Sequence, residues 1–246
     1  MDIIMKVNNL GKAFDSVWVL KNISFDLKED EIVGILGPSG VGKTTLLRIL
    51  AGLETLTEGS IQFLQPKDPE RDLISLVFED PALVPWLTVY ENIMLALDHL
   101  HLDEREKIAR AKFYLDLVGL SGYEDSYPVE LPKGLKKKVS FARALSVEPV
   151  ILLLDEPFSN IDALSAQALK DELVRITEDD DYPTEGTVFT THSVEDAVYL
   201  SDKIIILDGK PGSIKEVINI SLKRPRNVKS KKFNKYVDKI YEIMLR

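Results

Sequence analysis

The chain has 246 residues, a net charge of -9 and 45% hydrophobic residues, which is typical of a folded globular protein. The negative charge argues against broad nucleic-acid binding, because a phosphate backbone selects basic surfaces. The sequence contains no cysteine, which excludes disulfides and cysteine-based nucleophiles or metal sites. No apolar run approaches the roughly 18 residues of a transmembrane helix, so other chains must anchor the protein if it acts at a membrane.

The hydrophobic pattern predicts strands that alternate with helices along most of the chain. In chain order, these are strands at 3–7, 17–27 and 31–36, a helix at 44–51, a strand at 73–78, a helical pattern over 88–120, a short helix at 140–145, a strand at 150–154, a helix at 163–177, a strand at 187–191, a helix at 194–200, strands at 203–207 and 214–220, and a last helix at 231–245. Asp103 is the expected N-cap of a helix that ends near Gly119.

Buried strands that alternate with helices predict an α/β fold with a parallel sheet. Residues from about 80 to 135 lie between two core strands and form a mostly helical insertion. The acidic stretch 178–181 is expected to be a solvated connection.

A phosphate-binding motif lies between the strand at 31–36 and the helix at 44–51. Its sequence is Gly37-Pro38-Ser39-Gly40-Val41-Gly42-Lys43-Thr44, which fits G-x-x-x-x-G-K-[ST] at every fixed position. Glycines let backbone N–H groups surround phosphate oxygens, and the helix adds the positive end of its dipole. Lys43 can reach the β- and γ-phosphates, and the Thr44 hydroxyl can bind Mg²⁺. An ordinary glycine-rich turn is the alternative, but the strand–loop–helix context favours binding of ATP with Mg²⁺.

Two carboxylates follow the apolar strand at 150–154, where open α/β sheets bind ligands. Asp155 can hold Mg²⁺ through water, and Glu156 can act as the general base toward an attacking water. His192 ends the strand at 187–191 and could hydrogen-bond the γ-phosphate, although a lone histidine is more often structural.

Together these residues resemble the ABC transporter ATPase family over almost the whole chain. The resemblance implies a P-loop NTPase core with a mainly parallel sheet, an N-terminal antiparallel β subdomain and a helical insertion. It implies one ABC ATPase domain, 1–246, in which residues 1–79 and 136–246 form the core. Residues from about 80 to 135 form the helical subdomain with the signature segment.

The resemblance also assigns roles to single residues. Phe14 lies where the family stacks a ring on adenine, with Val19 beside it, although Phe14 could also be plain core. Thr45 joins the nucleotide-binding loop, and Asp162 lies in the D-loop that crosses to a partner subunit. His192 falls in the switch-histidine segment.

Two departures from the family pattern bear on hydrolysis. Glu79 replaces the Q-loop glutamine; it can still approach Mg²⁺ but adds negative charge. Leu131-Pro132-Lys133-Gly134-Leu135 stands where the family has Leu-Ser-Gly-Gly-Gln. Pro132 offers neither hydroxyl nor N–H to a phosphate, so only Gly134 can be carried over, and Lys133 offers a compensating charge.

Within the family, the chain looks most like the nitrate, sulfonate and taurine importer branch. That branch implies an ATP-hydrolysing subunit, peripheral on the cytoplasmic side of the cell membrane, that drives import of a small solute. The implied partners are a second ATP-binding subunit in a homodimer or heterodimer, transmembrane permease subunits and, indirectly, an extracytoplasmic solute-binding protein, with no nucleic acid. The alternatives are a poorly hydrolysing nucleotide switch paired with an active cassette, a non-transport ABC ATPase, or a P-loop kinase.

Overall fold

A computed structural model describes residues 2–64, 70–178 and 182–246. The elements in chain order are β1 (Ile3–Phe14), β2 (Val17–Lys28), β3 (Glu31–Leu36), α1 (Lys43–Leu50), β4 (Glu58–Phe63), β5 (Ile74–Val77), α2 (Val89–Leu97), α3 (Glu104–Leu117), α4 (Lys133–Ser146), β6 (Ile151–Leu154), α5 (Ala163–Glu178), β7 (Gly186–Thr191), α6 (Val194–Leu200), β8 (Lys203–Asp208), β9 (Ser213–Asn219) and α7 (Lys231–Leu245). The chain forms two compact units, Met1–Gln65 with Glu185–Arg246 and Pro66–Thr184.

The first unit begins with an antiparallel sheet in the order β2-β1-β4. Asp15 and Ser16 connect β1 to β2, and both have positive φ angles, 44° and 75°. A two-residue turn with both φ angles positive matches the twist of a hairpin, which explains why these short polar residues lie there.

The same unit contains strands in the order β7-β3-β8-β9, of which only β9 is antiparallel to its neighbour. The central strand β3 is almost completely buried, as expected for a parallel strand covered on both faces. Helices α6 and α7 pack with β3, β8 and β9 in a core that includes Leu36, Val198, Ile206, Phe233 and Ile240. This sheet fixes the positions of the loops that leave its carboxyl edge.

The C-terminal segment of the first unit is held by a buried arginine. Arg226 is 5% exposed and donates hydrogen bonds to the carbonyls of Val198, Ser201 and Leu222. Asp202 accepts from Arg224 at 2.5 Å and from the backbone of Ile32 at 2.9 Å. The guanidinium groups therefore satisfy carbonyls at the end of α6 and tie the last helix to the sheet.

The second unit contains the parallel pair β5 and β6, and α4 packs against β5 and against α2, α3 and α5. Helices α2 and α3 both begin with capping boxes, Thr88 with Glu91 and Asp103 with Glu106. In each box the N-cap side chain and the N3 carboxylate satisfy N–H groups that the helix leaves free. Along the described ranges of the chain, no helix is both long and apolar enough to span a bilayer.

Most predicted elements are confirmed, and the expected fold class is confirmed, but several bounds were wrong. Strand β4 was missed, because its sequence EGSIQF contains glycine and serine and it is mostly exposed. Strand β1 runs seven residues beyond its predicted end, and α4 begins at Lys133 rather than residue 140. The predicted start of α4 was too late because Gly134 and three further lysines interrupt the hydrophobic pattern of the helix. Most of the acidic stretch 178–181 lies outside the described residues.

Candidate nucleotide-binding and catalytic site

The glycine-rich loop leaves the carboxyl end of β3, which has a parallel neighbour on each side. Such an edge is where α/β sheets bind ligands. The loop is anchored at its start by a hydrogen bond of 3.4 Å from the Gly37 N–H to the Thr191 carbonyl at the end of β7. It continues into α1, whose first turn consists of Lys43, Thr44, Thr45 and Leu46.

Two glycines in the loop have backbone conformations that side chains disfavour. Gly40 has a φ of 79° and Gly42 has a φ of 108°. A Cβ atom on Gly42 would lie 2.7 Å from Cδ2 of Leu20 and 3.3 Å from Cγ1 of Val19. Gly42 is therefore required both by its φ angle and by the close approach of β2. The same close approach places Val19 beside the loop, and its predicted position beside Phe14 remains a prediction.

Lys43 places its ammonium group inside the loop. The residue is 7% exposed, and its Nζ donates to the carbonyls of Gly37 at 2.8 Å and Pro38 at 3.3 Å. The N–H groups in the first turn of α1 point toward the amino end of the helix, where the loop lies. Pro38, Ser39 and Gly40 are exposed. A buried cation, a helix N-terminus and an open glycine loop fit the phosphates of ATP, and the adjacent Thr44 supplies a hydroxyl suited to Mg²⁺.

Phe14 ends β1 at the tip of the hairpin and is 43% exposed, so it is not a core residue. Lys12 lies behind its ring, with Nζ 4.5 Å from the ring centroid. Lys12 is 6% exposed and is fixed by hydrogen bonds of 2.7 Å to Glu54 Oε1 and to the Thr55 carbonyl. The hydrogen bond from Lys12 lowers the pKa of Glu54, and a hydrogen bond from the Thr55 backbone N–H acts in the same direction. A cation fixed on one side of the ring favours a defined ring orientation.

His192 follows β7 directly and is exposed. Thr191 before it is paired in register with Leu36, the last residue of β3, so His192 and Gly37 leave the sheet at one edge. Ser193 after it caps α6 by accepting from the Asp196 N–H at 3.1 Å. The histidine is thus fixed between a strand end and a helix cap, on the same edge as the phosphate loop.

In the second unit, Asp155 and Glu156 follow β6. Asp155 is 4% exposed, and its N–H donates to the Val77 carbonyl at 2.8 Å. Glu156 has a φ of 44°, a conformation that costs free energy for a residue with a side chain. The Ser159 hydroxyl and N–H both donate to the Glu156 carbonyl, at 2.8 and 3.1 Å, and hold this turn. Strained backbone at a strand end is typical of functional sites.

The second unit also contains the other residues to which the family resemblance gives roles, Glu79, Gly134 and Asp162. Glu79 is exposed, two residues after β5 ends. Gly134 is in the first turn of α4, and a Cβ there would lie 3.0 Å from Ser165 Oγ at the start of α5. Asp162 accepts from the Ser165 N–H at 2.9 Å, and hydrogen bonds from Ser165 lower its pKa. Gly134 therefore packs directly against the segment that Asp162 begins.

The structure thus brings the predicted residues together in two sets. The first unit holds the hairpin residues, the phosphate loop and His192; the second holds the carboxylates after β5 and β6, Gly134 and Asp162. The sequence interpretation missed the buried lysines that contact the candidate site residues and their loops, Lys12 behind Phe14 and Lys137 on α4. A lysine at an inward-facing position of an apolar pattern is the only sequence signal that could have indicated them.

Comparison with known proteins identifies the class. The sequence model of the family described as ABC transporter matches residues 20–159, more than half of the chain. The chain is 41% identical to an uncharacterized ABC transporter ATP-binding protein of Methanocaldococcus jannaschii, over 99% of this chain and 92% of that protein. It is 38% identical to the aliphatic sulfonates import ATP-binding protein SsuB of Bacillus thuringiensis, over 97% and 94% of the two proteins.

A solved dimeric ATP-binding cassette in a post-hydrolysis state, bound to ADP and phosphate, has the same fold. The TM-score is 0.77 at 29% identity, over 89% of this chain and 100% of that chain. The chain therefore belongs to the ABC transporter family. It is the ATP-binding subunit of a transporter, and its relatives include aliphatic sulfonate importers.

Proposed function

We propose that this subunit hydrolyses ATP with Mg²⁺ and couples the hydrolysis to import of a small anionic solute. The observation that carries the proposal is the phosphate loop, in which Lys43 is buried with its ammonium against the loop carbonyls at the edge of a parallel sheet. This geometry supports binding of the β- and γ-phosphates by charge and by backbone N–H groups.

The residues of the site have distinct chemical roles in this proposal. Lys43 and the loop N–H groups neutralise the phosphates, and Phe14 with Val19 receives the adenine. Thr44, Asp155 and Glu79 hold Mg²⁺, which would supply positive charge to the leaving phosphate oxygens. Glu156 accepts a proton from the attacking water, and His192 hydrogen-bonds the γ-phosphate. Asp162 and Gly134 face a second ATP-binding subunit.

The partners and location are proposed from the relatives. An aliphatic sulfonates import ATP-binding protein, 38% identical over 94% of its length, supports import. The permease subunits and the position at the cytoplasmic face of the membrane follow from the family resemblance. The dimeric cassette bound to ADP and phosphate supports a dimer as the hydrolysing form. A sulfonate, taurine or nitrate is the solute class that fits this branch.

Reconstitution with the permease subunits in liposomes tests the proposal. The complex is given ATP, Mg²⁺ and the solute-binding protein with an alkanesulfonate, taurine or nitrate, and phosphate release and solute uptake are measured together. The expected result is solute-stimulated hydrolysis with uptake that requires ATP. Uptake independent of ATP, or hydrolysis without any solute movement, contradicts the coupling.

A second candidate, a slowly hydrolysing switch subunit, is favoured by one feature of α4. Its N-cap is Pro132, which has no side-chain acceptor and no N–H, and Lys133 follows. A partner cassette with an intact signature would then provide most of the turnover. Hydrolysis by the isolated chain that equals the rate of the reconstituted complex argues against this second candidate.

A further inference from the structure

Residues 78–88 connect β5 to α2 and include Glu79; we name this segment the Glu79 loop. Its carbonyl groups are bound by side chains from helices on the same unit. The contacts come from Lys137 and Arg143 on α4 and from Asn92 on α2. Because the loop carries a proposed Mg²⁺ ligand, what fixes its position matters for hydrolysis.

Lys137 holds the beginning of the loop. It is 2% exposed, and its Nζ donates to the carbonyls of Phe78 at 3.3 Å and of Glu79. Burial lowers its pKa, and the nearby carboxylates, Glu79 first, oppose that effect. A buried ammonium that donates to two consecutive carbonyls has little freedom to move. The backbone that it binds is therefore restrained as well.

The remainder of the loop is held at two more points. Nη1 of Arg143 donates to the Ala82 carbonyl at 2.7 Å, and burial lowers the pKa of this guanidinium. Asn92 is fully buried; its Nδ2 donates to the carbonyls of Val84 and Leu87, and its Oδ1 accepts from the Val84 N–H. Lys137 and Arg143 are about 9 Å apart along the helix axis, so α4 binds the loop as a two-point strap.

We propose that Lys137 is a positioning residue that makes the Glu79 loop and α4 move as one body. Helix α4 begins at Lys133, within the segment 131–135 that occupies the signature position. Any displacement of that segment is then transmitted to Glu79 through a helix and a lysine side chain. The expected effect on hydrolysis rests on the proposed function, since Glu79 is a proposed Mg²⁺ ligand. The contacts of Lys137 with the Glu79 loop are observed in the structure and do not depend on that function.

The chain suits a direct test, because it has no cysteine. Cysteines introduced at Ala82 and Lys133, both exposed, carry spin labels, and pulsed electron paramagnetic resonance gives the distance distribution between loop and helix. The distribution is compared for Lys137, Lys137→Met and Lys137→Arg. The control is Lys138→Met, whose ammonium lies toward Gly119 at the end of α3. We expect a narrow distribution in all but Lys137→Met, where it broadens at least about twofold.

Hydrolysis by the same substitutions in the cysteine-free chain gives the functional readout. Lys137→Met is expected to lower kcat about tenfold or more with KM for ATP within about twofold, and Lys137→Arg is expected to restore most of kcat. A narrow distance distribution in Lys137→Met would show that Lys137 does not hold the loop against α4. An unchanged kcat in the same variant would contradict the positioning role of Lys137. If the unsubstituted chain in its complex does not hydrolyse ATP, the proposed function is wrong. The distance distributions still show whether Lys137 holds the Glu79 loop against α4.

Discussion

At the scale of single residues, the position of Lys43 suits the binding of phosphate. Its ammonium is largely buried against the carbonyls of Gly37 and Pro38, so it is largely shielded from solvent. Such preorganisation strengthens the interaction with an incoming anion, because little solvent has to be removed from the lysine at that moment.

The first prediction concerns this charge. Lys43→Ala should weaken ATP binding by about tenfold to a hundredfold, since it removes a charge-assisted hydrogen bond worth about 1.5–3 kcal/mol. Isothermal titration with ATP and Mg²⁺ measures the affinity. Lys28→Ala, an exposed lysine at the end of β2, is the matched control and should bind as the unsubstituted protein does. Unchanged ATP affinity in Lys43→Ala would contradict the role of this loop in phosphate binding.

Phe14 provides the second prediction. Its exposed ring, with Lys12 on one side, is expected to stack on adenine, and such an aromatic pair contributes about 1 kcal/mol. Phe14→Ala should therefore raise KM for ATP about fivefold with little change in kcat, and Phe14→Trp should keep KM low. Steady-state kinetics with ATP and GTP gives both parameters. An equal KM for Phe14→Ala and the unsubstituted protein shows that the ring does not contact the base.

The ion pair behind Phe14 gives a pH-dependent prediction. The hydrogen bond from Lys12 lowers the pKa of Glu54, so Glu54 contributes stability above its unfolded pKa of about 4.3. That contribution is lost as the pH falls through the lower, folded pKa. Lys12→Met should thus reduce Tm more at pH 7 than at pH 3, as measured by calorimetry. A reduction of Tm that is the same at both pH values would show that the loss comes from packing alone.

At the scale of elements, the sequence correctly predicted the features that depend on residues adjacent in the chain. The phosphate loop, its strand β3 and helix α1 follow from a contiguous motif, and Asp103 was correctly predicted as an N-cap. Strand β4 was missed because it is held by pairing with β1, 47 or more residues away along the chain, and not by its own propensity. The contacts of Lys12 and Lys137 were missed for the same reason, since distant backbone carbonyls give no sequence signal.

The start of α4 provides the element-scale prediction. Pro132 is the N-cap, whereas serine would accept a hydrogen bond from the helix and stabilise it by about 1 kcal/mol. The triple substitution Pro132→Ser, Lys133→Gly and Leu135→Gln rebuilds the family's signature around Gly134. It should raise the ATPase rate and strengthen ATP-dependent dimerisation, by about tenfold if one phosphate hydrogen bond is regained.

The comparison variant for this prediction is Pro132→Ser alone, which restores the hydroxyl and the N–H at the start of α4 without the other two changes. Chemical denaturation should show a gain in stability in this single variant, and its ATPase rate should rise less than that of the triple variant. If the triple variant hydrolyses ATP no faster, and the unsubstituted rate is already that of a transport ATPase, then Lys133 and Gly134 suffice and the role given to Pro132 is wrong.

At the scale of the whole molecule, the negative net charge affects the association of two ATP-binding subunits. Each chain carries a net charge of -9, so two copies repel each other at long range. The ATP-bound dimer must overcome this repulsion, and physiological salt helps because it screens charges beyond about 8 Å. A lysine-rich start of α4, with Lys133, Lys136 and Lys138, is a local basic exception that suits an anionic partner surface.

The central claim, that this subunit hydrolyses ATP with Glu156 as the base, is tested most directly by steady-state phosphate release. Purified Glu156→Gln is compared with the unsubstituted protein at saturating ATP and Mg²⁺, in the reconstituted complex. Glutamine is close in size but cannot accept the proton of the attacking water. We predict clear turnover by the unsubstituted protein and a loss of about a hundredfold or more in Glu156→Gln, with ATP affinity retained. Equal rates of phosphate release in the two proteins would contradict the assignment of Glu156 as the base.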